Sequence, residues 1–157
     1  MRRHDREVTD LGEIIKIINK CEILRLGLVD NGAPYVVPLN FSFAEDRGQM
    51  SFFFHSALEG RKIDIMKRNP FVCFELDCSF KITEGDVACE WSAEHESVIG
   101  YGEVQFIEDF DEKKVALDLI MKKYGFEGTP EYSPNVFSRT ALYKLSVSDI
   151  TGKRNVL

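Results

Sequence analysis

Apolar positions along the chain fall into two rhythms, one helical and one strand-like. Over Asp10–Lys20, Leu11, Ile14, Ile15, Ile17 and Ile18 recur at helical spacing. Asp10 followed by Glu13 has the form of a capping box. Ser56–Arg68 predicts a second helix with Ile63 and Met66 inward, stopped by Asn69-Pro70. Asp111–Tyr124 predicts a third, with Ala116, Leu119, Ile120 and Tyr124 on one face and Gly125 as its C-cap. Between these lie strand-like runs at Glu22–Val29, Ala33–Phe43, Met50–His55, Phe71–Cys78, Glu94–Phe106 and Thr140–Val147. Asp30-Asn31-Gly32 marks a hairpin between the first two. Phe126–Asn135 reads as a Pro/Gly loop and Ile150–Arg154 as a tail.

Six antiparallel-looking strands with helices as punctuation predict a mainly β (α+β) fold, a small β-barrel with flanking helices. A chain of 157 residues predicts one domain, residues 1–157. Pro38 removes a ladder donor from its strand, which places that strand at an edge or a bulge. Gly100 and Gly102, two apart on one strand, bare one of its faces to a ring or another backbone.

Composition narrows the partners. The net charge is −6 and no long basic block is present, which argues against nucleic acid. No apolar run reaches membrane-spanning length, and the charged N-terminus lacks the apolar stretch of a secretory signal. Cys21, Cys73, Cys78 and Cys89 form no Cys-x-x-Cys pair and predict reduced thiols in a cytoplasmic protein. With His95 they match no common zinc-finger spacing, so no metal is expected.

Candidate chemistry concentrates in Phe52–Lys62. An aromatic strand runs into Ser56-x-x-Glu59, a second capping-box pattern, with Gly60, Arg61 and Lys62 just beyond. Backbone donors, a hydroxyl and two cations near one point suit a phosphate. The same residues also suit a capped surface helix with two solvated cations. Gly60 argues for the first reading, because glycine inside a helix costs about 1 kcal/mol against alanine. His55, at the strand end, is placed to touch a cofactor or substrate, or merely to sit exposed. Val37, Pro38, Leu39 and Asn40 combine freed backbone groups with an amide, which matches the edge of a flat heteroaromatic or an ordinary edge strand. Ser97 could hydrogen-bond a ligand. No nucleophile–base pair, Walker loop or Rossmann glycine run is present, so redox chemistry would have to come from a bound cofactor.

The ordered set Val37-Pro38-Leu39-Asn40-Phe41, Phe54 to Lys62, Asn69-Pro70, Ser97 to Gly102 and Thr151-Gly152-Lys153-Arg154 resembles the pyridoxamine 5′-phosphate oxidase-like flavin-binding split barrels. Within them it looks most like the nitroimidazole-resistance branch. The resemblance implies a six-stranded antiparallel split β-barrel that forms a homodimer, with two flavin sites at the subunit interface. It implies FMN, with FAD as the alternative. Val37, Pro38, Leu39 and Asn40 would line the isoalloxazine; His55, Ser56 and Ala57 would contact the flavin. Arg61 and Lys62 would hold its phosphate, with Gly60 admitting it and Ser97 reaching in from either chain. Lys153 and Arg154 would serve the interface. The basic and aromatic C-terminal residues that bind pyridoxal phosphate in the oxidases themselves have no match here. The function implied is reduction of small electron-poor molecules such as nitroaromatics, with His55 as a substrate-side contact. The alternative is a non-enzymatic flavin- or haem-binding module.

Overall fold

A computed structural model describes residues 2–155. Eight strands join one sheet: β1 (Glu7–Val8), β2 (Leu24–Asp30), β3 (Ala33–Leu39), β4 (Ser42–Asp46), β5 (Gln49–Ala57), β6 (Phe71–Thr83), β7 (Ser92–Ile107) and β8 (Thr140–Asn155). Four α-helices punctuate them: α1 (Leu11–Lys20), α2 (Arg61–Arg68), α3 (Phe110–Lys123) and α4 (Pro134–Phe137). The strand order is β3-β2-β6-β7-β8-β5-β4, with β1 paired to β8. All pairings are antiparallel.

The long meander β6-β7-β8 is therefore flanked by two hairpins, β2-β3 on the β6 side and β4-β5 on the β8 side. Their outer strands, β3 and β4, are the two ends of the sheet, yet only Asn40 and Phe41 separate them in sequence. Leu39 and Ser42 are thus at most about 11 Å apart. The sheet must curl until its ends approach, without pairing, which makes a barrel that stays split.

The curled interior holds the main core. Phe41, Phe52 and Phe74 are fully buried, with Phe52 5.6 Å from Phe41 and 5.0 Å from Phe74 between ring centroids. Burying each such ring contributes about 1.5–3 kcal/mol. Helix α1 closes the core with Ile14, Ile17 and Ile18; Asp10 Oδ1 accepts from the Glu13 amide at 2.9 Å, as its capping pattern predicts. A smaller cluster of Ile107, Ala116, Leu117, Ile120 and Leu142 seats α3 on the outside.

Several expectations change. The predicted strand Ala33–Phe43 breaks in two at Asn40-Phe41, because the chain crosses there from one sheet end to the other. That break and β1 raise the count from six strands to eight. Ile150–Arg154 is no tail; it continues β8, held between β7 and β1. The Pro/Gly loop ends in α4. The bare face at Gly100 and Gly102 does admit a ring and another backbone, as the sequence predicts, and both belong to the chain itself. A Cβ on Gly100 would lie 2.3 Å from the Phe74 ring, and one on Gly102 would lie 2.1 Å from the Ser146 carbonyl oxygen. Pro38 does lie on an end strand, as its missing donor requires.

Candidate functional site

The Ser56 capping box does not form. Ser56 and Ala57 remain in β5, paired with Ala141 and Thr140 of β8. The pairing with β8 takes the backbone that a helix start would need. Helix α2 begins only at Arg61, and Gly60 stands before it as N-cap with φ 136°, ψ 160° and no side-chain cap. That φ lies where side chains are strained, so Gly60 is required by the turn from strand to helix and is not a flaw inside the helix.

This corrected geometry still gathers most of the predicted corner. His55, Ser56, Ala57 and Lys62 line one cleft of about 530 Å³, together with Asn135, Val136, Arg139 and Thr140. The last four come from the segment entering β8. Its shape is set locally: the Thr140 hydroxyl donates to the Val136 carbonyl at 2.8 Å, and the Arg139 amide donates to the same carbonyl at 3.1 Å. These bonds present Arg139 beside Ala57.

Two cations thus face one open cleft. Among the described residues neither Lys62 nor Arg139 has a carboxylate within ion-pair distance. In a chain of net charge −6, two unneutralised cations beside a hydroxyl make an anion-binding point. The Ser56 hydroxyl donates to the Ala57 carbonyl at 2.9 Å, which leaves its oxygen free to accept. His55 is exposed at the cleft, and partial desolvation, then the Lys62 ammonium, lower its imidazole pKa, which favours the neutral form. Beneath the cleft, burial pushes the Tyr143 phenol up to about 12, with Ser56 offsetting part of the rise.

Arg61 points elsewhere. Its Nε donates to Asp30 Oδ2 at 3.0 Å, its guanidinium lies 4.4 Å over the Tyr35 ring, and Arg68 reaches the same Asp30 at 2.8 Å. In one chain it therefore secures α2 to the β2-β3 hairpin. Val37, Pro38, Leu39 and Asn40 lie on or just after β3 and do not line this cleft. Pro38 and Asn40 are exposed while Leu39 is buried. Ser97 sits in β7 between Asp77 and Lys153, also outside it. Arg154 is drawn inward, donating to Glu96 at 2.6 Å and Glu13 at 2.9 Å.

Sequence reasoning missed Arg139 and Asn135. Ser138-Arg139-Thr140 offered a basic residue just before a strand, but only the Ala57–Thr140 register brings it to the cleft.

The outward sheet face has its own pattern. Val36, Gly27, Cys73 and Tyr101 form one cross-strand row over four strands, and Phe71 stacks on Tyr101 at 6.1 Å. Val36 is 59% exposed and Phe71 51%. Pro38, Arg25, Glu75 and Ile99 form the adjacent row, so Pro38 shares this face.

Two cations and the Asn135 amide around one cleft fit the phosphate end of a flavin nucleotide, while the Ser56 and Thr140 hydroxyls there donate to the Ala57 and Val136 carbonyls. The ring end is not enclosed by one chain.

Comparisons with known proteins agree with this architecture. The family model for pyridoxamine 5′-phosphate oxidase matches residues 10–154. A protein of Bacteroides thetaiotaomicron provisionally assigned to 5-nitroimidazole antibiotic resistance superposes with a TM-score of 0.83 at 34% identity, over 94% of this chain and 86% of that one. An FAD- and haem-binding protein of Mycobacterium smegmatis has a TM-score of 0.82 at 15% identity, over 96% of this chain and 73% of that one. A flavocytochrome of Azotobacter vinelandii has a TM-score of 0.83 at 19% identity, over 100% of this chain and 72% of its own. These last two show the shared fold alone. No curated protein matches the chain. With the family model spanning nearly its whole length and a relative at this identity, the chain belongs to the pyridoxamine 5′-phosphate oxidase family.

Proposed function

We propose that the chain is a flavin-dependent oxidoreductase that binds FMN, with FAD as the variant, and reduces small electron-poor molecules such as nitroaromatics. Membership of the pyridoxamine 5′-phosphate oxidase family supports the cofactor, and a structure that shares the fold binds FAD and haem. The observation that carries the site is the pair of unneutralised cations, Lys62 and Arg139, facing one cleft with Ser56 and His55. Lys62 and Arg139 would hold the phosphate, and the Ser56 and Thr140 hydroxyls would donate to its oxygens only once turned away from the Ala57 and Val136 carbonyls. Bound flavin would supply hydride transfer to the substrate.

The ring end is completed by a second copy of the chain. The exposed row Val36-Gly27-Cys73-Tyr101 gives that copy an apolar landing, and Pro38 and Ser97 lie on strands that contribute to the same outward face. Closing the two sheets together would exclude water from the ring. The neutral His55 imidazole can accept or donate one hydrogen bond without adding a charge beside the cofactor.

The visible spectrum of the purified protein tests the cofactor. A flavin absorbance near neutral pH is expected, and mass analysis after denaturation identifies FMN or FAD. A colourless protein that takes up neither would overturn the reading. Turnover separates enzyme from storage module: reduced protein should pass electrons to a nitroaromatic. His55→Ala should keep its flavin and lose most of that turnover; full turnover would remove His55 from the substrate side.

A further inference from the structure

A second cleft, of about 710 Å³, lies between α3 and the segment 129–138. Its size is in the range of small-molecule sites. Five ring side chains line it: Phe110, Pro130, Tyr132, Pro134 and Phe137. Phe110 and Phe137 stand 4.8 Å apart between centroids at 52°, and Tyr132 lies 6.0 Å from Phe137. The Tyr132 hydroxyl donates to Asp118 at 2.7 Å, which fixes its ring as a wall. Phe110 is 65% exposed, which leaves its ring open to a ligand in the cleft.

Two cations, Lys113 and Lys114, stand at this cleft. The Lys113 side chain is only 19% exposed, while its sole ion-pair partner among the described residues, Glu108, is 85% exposed and 3.8 Å away. That separation is well beyond a charge-assisted hydrogen bond. Lys114 stands at the same cleft, and among the described residues no ion pair holds it. Glu108 and Glu131 are exposed at the rim. Rings that can stack on a flat face, beside a poorly matched ammonium on a largely buried side chain, call for a flat ligand with one negative group.

We propose that this cleft is a second small-molecule site, distinct from the Lys62–Arg139 cleft, for a planar aromatic bearing a single anionic group such as an aromatic carboxylate. The two clefts share the α4 segment. Pro134 and Phe137 face this one, and Asn135 and Val136 face the other. The assignment rests on this cleft's own residues and stands independently of flavin binding.

The probe is 2-naphthoate, titrated into the full chain and followed by calorimetry and by amide shifts of the 15N-labelled protein. Binding should shift the amides of Phe110, Lys113, Tyr132 and Phe137. Its uncharged methyl ester should bind about 10-fold more weakly, as should the probe to Lys113→Gln. Phe110→Ala, a change at an exposed ring, should also weaken it, with only a small fall in thermal stability from the lost Phe137 contact. Saturating FMN should leave naphthoate affinity the same. Displacement by FMN, shifts confined to the outward sheet face, equal affinity of Lys113→Gln, or no binding would each overturn the proposal.

Discussion

Arg61 and Lys62 are adjacent basic residues with opposite employment. Asp30 and the Tyr35 ring occupy Arg61, whereas Lys62 faces the cleft with no carboxylate of the described residues within ion-pair distance. Lys62→Ala should therefore weaken flavin affinity by about 10-fold or more, since a charge-assisted bond contributes about 1.5–3 kcal/mol. Arg61→Ala should act mainly on stability, and only slightly given the exposure of that pair. Flavin titration of both variants checks the order; a larger affinity loss from Arg61→Ala would reverse the assignment. The Arg-Lys pair was legible in the sequence as a source of cations. Which one is free was not, because Asp30 lies on another hairpin.

At the scale of elements, the attachment of α1 to the sheet depends on Glu96. This β7 carboxylate is buried and receives Lys20 at 2.5 Å, Arg154 at 2.6 Å and Ser79 at 3.0 Å. Burial alone would raise its pKa, but these donors outweigh burial and hold it at about 2. A carboxylate depressed in the folded state adds stability that is complete above its ordinary value of 4.5 and is lost as pH falls toward about 2. Urea unfolding should show that loss between pH 4.5 and 2. Glu96→Gln should cost about 2 kcal/mol at pH 7 and flatten the acid dependence. An unchanged acid limb in the variant would show that another group governs it. Element type was largely readable: α1, its Asp10 cap and the Asn31-Gly32 hairpin lie where the pattern puts them. The start of α2 was misplaced because Ser56-x-x-Glu59 satisfies a local rule that the β5–β8 ladder overrides.

At the scale of the molecule, the exposed row Val36-Gly27-Cys73-Tyr101 with Phe71 predicts self-association. Sedimentation velocity should find a dimer, and Val36→Glu with Tyr101→Asp should give a monomer with much weaker flavin retention. A monomeric parent that holds flavin tightly would refute a shared site. Sequence by itself determined what depends on near neighbours: the periods of helix and strand, the turns, the need for an edge at Pro38, and the family through the order of its motifs. It also placed His55, Ser56 and Lys62 together, because they lie within eight residues of one another. Only the tertiary structure decided what depends on register between distant strands. The two-residue crossing at Asn40-Phe41 curls the sheet, and the Gly100 and Gly102 gaps are filled by Phe74 and the Ser146 carbonyl. The pairing of Ala57 with Thr140 brings Arg139 to the cleft that opens beside His55 and Lys62. Hydrogen-bonded ladders fix such contacts at separations over which no local propensity acts.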